Sequence, residues 1–198
     1  MEKKELTDKD ILNLLSEVND KLHERGKSAS ILLSGGASMS LLFSRDRVTM
    51  LAKHYSVYVC EIGRNVVSEV GTENGLKEDW LNDAVKGYID FNWQREFIPI
   101  GLSNLTVYSV PADKLLAMKL SSGRSYSKDR EDAIELMNHL DIRSPKEALE
   151  ILEDAVPEQL LTAKTRYFTL ETFNEYSERY HIEEPGLEHK NEEMEIEF

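Results

Sequence analysis

Apolar residues near the amino terminus recur at three- and four-residue steps. They stand at Ile11, Leu12, Leu14, Leu15, Val18 and Leu22. Thr7 and Asp8 precede this run and Gly26 follows it, as is typical of the two ends of a helix. The pattern therefore predicts a helix that places one face in the core.

Short apolar segments predict the strands. Residues 30–34 are too few for a stable helix and run into Gly35 and Gly36, so we expect a buried strand, a glycine turn and then a helix over 37–43. Residues 57–70 begin with strand-forming residues but keep a helical period, and we expect mostly helix there. Segments 97–100 and 105–110 are short and rich in branched and aromatic residues, and they predict two more strands.

The second half of the chain has helical patterns. We expect helices over residues 112–122, 128–140, from 145 onward, and 157–180. Ser144, Pro145 and Glu147 supply an N-cap, a proline at the first helical position and a capping-box acid for the third of these helices. From residue 183 the sequence is acidic with few apolar residues, so we expect a loose tail over 181–198.

Length, charge and cysteine content exclude several classes of protein. The length of 198 residues predicts one domain, and 24 basic against 37 acidic residues give a net charge of −13, which disfavours general DNA binding. The lone Cys60 excludes a disulfide framework and a multi-cysteine zinc site, and the five histidines lack metal-ligand spacing. Because no apolar run approaches a membrane span and no signal core is seen, we expect a cytoplasmic protein without membrane contact.

The glycine turn is the first candidate for chemistry. Glycines between a strand and a helix let a phosphate approach the backbone, and the helix start directs amide dipoles at it. The alternative is an ordinary strand-to-helix turn, because a lone pair of glycines is a weak motif. For Lys119 and Lys128 the alternative to a functional role is an ordinary position on a helix surface, where lysines are common. For Trp80 the alternative to stacking on a ligand is a place in the core, where tryptophan is found more often.

The order of several weak motifs resembles one family, the nucleotidyltransferase-fold proteins of the AbiEii toxin kind, and within it a set of bacterial relatives. The matching residues are Gly35-Gly36, Arg47-Val48-Thr49, Asp79-Trp80-Leu81-Asn82-Asp83, Lys119-Leu120 with Arg124, and Lys128-Asp129 with Asp132. The match spans about residues 10–180. The resemblance implies an α/β (α+β) fold, a small mixed sheet with flanking helices, in a single domain over 1–180 with a core to about 140 and a helical extension over 141–180.

The resemblance also implies a site. Catalytic roles fall on Lys119, Asp129 and Asp132. Nucleotide or phosphate contacts fall on Gly35, Gly36, Ser38, Arg47, Thr49, Arg124 and Lys128. Lys53 is added to them for its own positive charge, which would stand where a cation normally sits and neutralise a phosphate directly. The implied chemistry is transfer of NMP from an NTP, with Mg²⁺, to an RNA or protein acceptor.

Two positions depart from the family. In active members two aspartates follow the Arg-x-Thr motif on a strand and hold Mg²⁺, whereas Leu51 and Lys53 stand there in this chain. Neither side chain ligates magnesium, so we expect transfer to be weak or lost, as in a pseudoenzyme. The alternative is a non-catalytic protein that binds a nucleotide or a cognate protein on the same scaffold, such as an antitoxin, an immunity protein or a regulator.

Overall fold

The computed structural model describes residues 5–43, 49–50, 58–59, 61–77, 80–81, 94–122 and 128–182. Within these residues the helices are α1 Asp8–Glu24, α2 Gly35–Phe43, α3 Glu61–Glu73, α4 Ala112–Ser121, α5 Lys128–His139, α6 Pro145–Ala155 and α7 Ala163–Tyr180. The strands are β1 Glu5–Leu6, β2 Ala29–Leu33, β3 Thr49–Met50, β4 Tyr58–Val59, β5 Glu96–Phe97 and β6 Leu105–Ser109. The predicted class, a small mixed sheet with flanking helices, is confirmed.

Two long strands form the centre of a four-stranded sheet. The strand order is β4-β2-β6-β5, in which β2 and β6 are parallel and both outer pairs are antiparallel. Ile31 of β2 is level with Val107 of β6. Strands β1 and β3 pair separately in a two-stranded antiparallel sheet. Because β2 and β6 run in the same direction, their carboxyl ends lie at one edge of the sheet. The helices that follow the two strands begin at that edge.

The sheet separates two apolar clusters. Side chains of β2 and β6 such as Ile31 and Val107 pack with α1 and α3 on one face. Leu32 points to the opposite face, as the period of two along a strand requires, and packs with the helices α4 to α7. Helices α4 and α5 share this second cluster with α6 and α7, so the helical bundle begins at Ala112. The expected single domain stays a prediction.

Two helices begin at the capping residues that the sequence predicted, Thr7 and Ser144. The Thr7 hydroxyl accepts from the Asp10 backbone N–H at 3.2 Å, and the Asp10 carboxylate accepts from the Thr7 N–H at 2.8 Å, which is a capping box. Ser144 caps α6 by accepting from the Glu147 N–H at 3.2 Å. The Glu147 carboxylate accepts from the Arg143 N–H, one residue before the cap, and the expected box is therefore shifted by one residue.

Three boundaries differ from the expectation. Helix α2 begins at Gly35 itself, and the turn is made within its first residue, where φ is 61°. The segment 57–70 contains the short strand β4 before α3 begins at Glu61. The last helix begins at Ala163 rather than 157, because the Thr162 hydroxyl caps it by accepting from the Thr165 N–H, and a 3₁₀ turn over Glu158–Leu160 fills the gap. The tail from 183 lies outside the described residues.

Candidate functional site

Three predicted catalytic side chains meet where α4 ends and α5 begins. The Lys119 Nζ lies 2.8 Å from Asp129 Oδ1 and 2.8 Å from Asp132 Oδ2. The exposed fractions of the three side chains are 12%, 18% and 7%, so water screens their charges only partly. We call these three residues the Lys119 cluster.

The helix ends explain why these residue types stand here. Lys119 is in the last turn of α4, next to the negative end of that helix dipole, and Asp129 is in the first turn of α5, next to a positive end. Asp132 follows Asp129 after three residues and lies on the same face of α5. The two motifs therefore come together through the packing of α4 on α5.

Burial and the neighbouring carboxylates act on the pKa of Lys119 in opposite directions. Burial lowers the pKa of Lys119, but the negative charges of Asp132 and Asp129 and their hydrogen bonds raise it by more, so the net pKa is above its usual value. Lys119 is thus an ammonium at neutral pH. With both carboxylates ionised, the cluster carries a net charge of −1.

Ser122 belongs to this arrangement and was missed in the sequence. Its hydroxyl lies 2.8 Å from the Lys119 carbonyl oxygen and 3.2 Å from Asp129 Oδ2. The signal was its position three residues after Lys119, where a serine at a helix end reaches back to the last carbonyls. Its contact with Asp129 helps to orient the carboxylate toward the lysine.

The glycine junction lies at the carboxyl edge of the parallel strands. Gly35 and Gly36 are half-buried in the first turn of α2, and Ser38 is fully buried one turn along. The Ser38 Oγ has no hydrogen-bond partner among the described residues. The resemblance implies that this junction and the Lys119 cluster belong to one site, and that implication stays a prediction.

The other predicted phosphate ligands are only partly described. Lys128 is the first residue of α5 and is exposed. Thr49 is in β3, which pairs with β1 outside the four-stranded sheet. Arg47, Lys53 and Arg124, and the substituted position Leu51, lie outside the described residues.

Trp80 is a core residue, which is the role that tryptophan has more often in proteins. It is 4% exposed, and its Nε1 donates to the Val67 carbonyl at 2.7 Å. The ring lies against Gly71, where a side chain would collide with it. Trp80 is therefore buried against α3.

No family model, curated protein or solved structure matches this chain. In the described part of the chain, no helix is long and apolar enough to cross a membrane. No group of three His, Cys, Asp or Glu side chains in the described ranges is placed to hold a metal ion. The Lys119 cluster and the glycine junction are therefore the two regions whose geometry bears on function.

Proposed function

We propose that the chain is a nucleotidyltransferase-like protein that binds a nucleoside triphosphate, with weak or lost transfer of NMP to RNA or protein. The observation that supports it is the contact of Lys119 with Asp129 and Asp132 at 2.8 Å. These residues come from two motifs of the family pattern, which residues 123–127 separate in the sequence. The site that the resemblance implies requires this convergence.

The cluster fits phosphate binding better than metal binding. A charged lysine with low exposure is a strong partner for a phosphate oxygen, and nearby carboxylates fix its position. Asp129 and Asp132 both contact the Lys119 ammonium, which offsets one of their two negative charges and occupies one oxygen of each, so they offer Mg²⁺ a poor donor set. On this proposal Mg²⁺ arrives with the triphosphate, and the substituted positions 51 and 53 do not hold it.

The same geometry also favours a second candidate, a non-catalytic interaction protein. Because two carboxylates engage the Lys119 ammonium, the cluster is sufficient as a structural link between α4 and α5. An antitoxin, immunity or regulatory protein would keep such a link for its fold alone. Nucleotide binding separates the two candidates.

The test is a calorimetric titration of the full chain with each of the four ribonucleoside triphosphates, with and without Mg²⁺, followed by transfer of radiolabelled nucleotide to bulk RNA. Saturable binding of at least one nucleotide with little transfer supports the proposal. Absence of all nucleotide binding favours the interaction protein. Robust transfer would contradict the inference drawn from Leu51 and Lys53.

A further inference from the structure

Helix α7 has one buried side and one exposed side. Six of its residues are buried, on the side that contacts α5 and α6: Thr165, Phe168, Thr169, Thr172, Phe173 and Tyr176. On the other side Tyr167 is 65% exposed and Leu170 is 37% exposed, and Asn174 follows them at helical spacing. Lys164 and Glu178 are exposed on the same side. We call these five residues the outer face of α7.

The charges of the outer face are ordered along the helix. Lys164 lies near the amino-terminal end of α7 and Glu178 near its carboxyl-terminal end. Neither side chain forms an ion pair within the part of the chain that the structure describes. Two copies of α7 side by side in opposite directions would bring each Lys164 next to Glu178 of the other copy, whereas parallel helices would bring like charges together. The outer face therefore complements itself in the antiparallel orientation.

Helix α7 as a whole is electrically neutral in a strongly acidic protein. Three basic and three acidic residues lie between its ends: Lys164, Arg166, Arg179, Glu171, Glu175 and Glu178. The full chain carries a net charge of −13, so two copies repel each other over most of their surfaces. A basic partner would be attracted to an acidic face. A neutral face with ordered charges fits a second copy of the chain instead.

The antiparallel orientation also covers the exposed apolar side chains. Leu170 would lie near the two-fold axis, with Tyr167 of one copy beside Asn174 of the other. Glu171 is close to this axis too, but Arg130 of the same chain donates to its carboxylate at 3.0 Å and offsets the repulsion. A helix of 18 residues is about 27 Å long, so one helix pair buries less than a standard interface. We therefore expect a weak, reversible dimer.

We propose that the outer face of α7 binds the same face of a second copy of the chain, with the two helices antiparallel. The inference is independent of the proposed nucleotide binding, because none of these residues belongs to the Lys119 cluster or to the glycine junction. It predicts a dimer whose affinity depends on the pairing of Lys164 with Glu178.

The experiment is sedimentation equilibrium of the full chain at low salt, over concentrations from about 10 μM to about 1 mM, with folding checked by circular dichroism. The wild type should shift from monomer toward dimer over this series. Leu170→Glu should abolish the association, because it places two further carboxylates near the axis. The matched control is Leu12→Glu, since Leu12 on α1 is 39% exposed and lies outside the outer face of α7. That variant should associate as the wild type does.

Reversing the charges separates specific pairing from general repulsion between acidic chains. Lys164→Glu should weaken the dimer about tenfold, because it replaces two attractive pairs by two repulsive ones. Glu178→Lys should weaken the dimer by a similar factor, although it makes the chain less negative. The two changes together should restore the wild-type affinity, since opposite charges then meet again.

Three results would overturn the inference. A wild type that stays monomeric over the whole series would do so, and would favour a different protein as the occupant of this face. A dimer that Leu170→Glu leaves intact, or that Leu12→Glu weakens as much, would place the contact elsewhere. Tighter association of Glu178→Lys would show that only the net charge of the chain matters.

Discussion

Gly71 is the position at which a single methyl group should disturb the packing most clearly. A Cβ added there would lie 2.3 Å from Cδ1 and 2.7 Å from Nε1 of Trp80, and 2.9 Å from the Lys77 carbonyl oxygen. Two backbone hydrogen bonds fix the chain on either side of this contact. The Leu76 N–H donates to the Gly71 carbonyl, and the Trp80 N–H donates to the Lys77 carbonyl. The indole ring must therefore move when Gly71 becomes alanine.

The size of the effect follows from three contributions. Overpacking a core costs about 1–3 kcal/mol. Shifting the ring also weakens the bond from Trp80 Nε1 to the Val67 carbonyl, worth about 1 kcal/mol net. Replacing glycine by alanine within α3 gains about 1 kcal/mol in helix propensity. The expected loss in unfolding free energy for Gly71→Ala is therefore about 1–3 kcal/mol.

Urea unfolding followed by circular dichroism measures this loss, with the exposed neighbour Thr72→Ala as control. The same Gly71→Ala change in a Trp80→Ala background should cost less than about 0.5 kcal/mol, because the ring is absent and the propensity gain offsets the remaining contact with Lys77. An equal loss in both backgrounds would refute the reasoning, since the collision would then not involve the indole.

Three further outcomes are expected. Lys119→Met should lower the unfolding free energy by about 1–3 kcal/mol at pH 7, because it removes the ammonium that both Asp129 and Asp132 contact at 2.8 Å. Since the folded pKa of this lysine is raised, its contribution is complete below pH 10.5 and lost as the pH rises further, so the variant should lack that alkaline loss in a pH series of urea melts. Asn104→Ala should cost about 1–3 kcal/mol in the same assay, because the side-chain amide donates to a loop carbonyl at 2.9 Å and accepts from two neighbours. The double change Leu51→Asp with Lys53→Asp should create or strengthen Mg²⁺ binding by the folded protein in a calorimetric titration, and no binding would favour the interaction-protein candidate.

Local signals predicted most of the fold. The helix from Thr7 to Gly26 was recognisable because its cap, apolar period and glycine stop all agree, and the structure places α1 there. The strand before Gly35 was recognisable from its length and its flanking glycines. The start of α7 was misplaced because Thr162 competes with Pro157 as a helix start, and the sequence contains a valid signal at both positions.

The candidate site was less predictable because it depends on packing. The family pattern named Lys119, Asp129 and Asp132, but only the contact of α4 with α5 shows that the Lys119 ammonium lies between the two carboxylates. Ser122 was missed because its role depends on that contact. Ser38 was named as a phosphate contact, yet the lack of a partner for its hydroxyl within the described ranges is a property of the folded core that no sequence pattern reports.

A second lysine in the chain provides a matched control for the central claim. The Lys21 Nζ lies 2.8 Å from Glu69 and 3.0 Å from Glu73, so it also joins two helices, α1 and α3, through two carboxylates. Lys21→Met removes the same charge and a similar interhelical contact outside the proposed site. Lys119→Arg keeps the charge of the site and serves if Lys119→Met does not fold.

The most direct measurement is the dissociation constant of the best-bound nucleoside triphosphate for the wild type and for these lysine variants, with folding checked by circular dichroism. The account predicts that Lys119→Met weakens binding at least about tenfold, the loss of one charged phosphate contact, while Lys21→Met stays within about twofold of the wild type. If only Lys119→Arg folds, it should retain measurable binding. Equal affinities for the two methionine variants, or no nucleotide binding by the wild type, would contradict the claim that the Lys119 cluster serves a nucleotide.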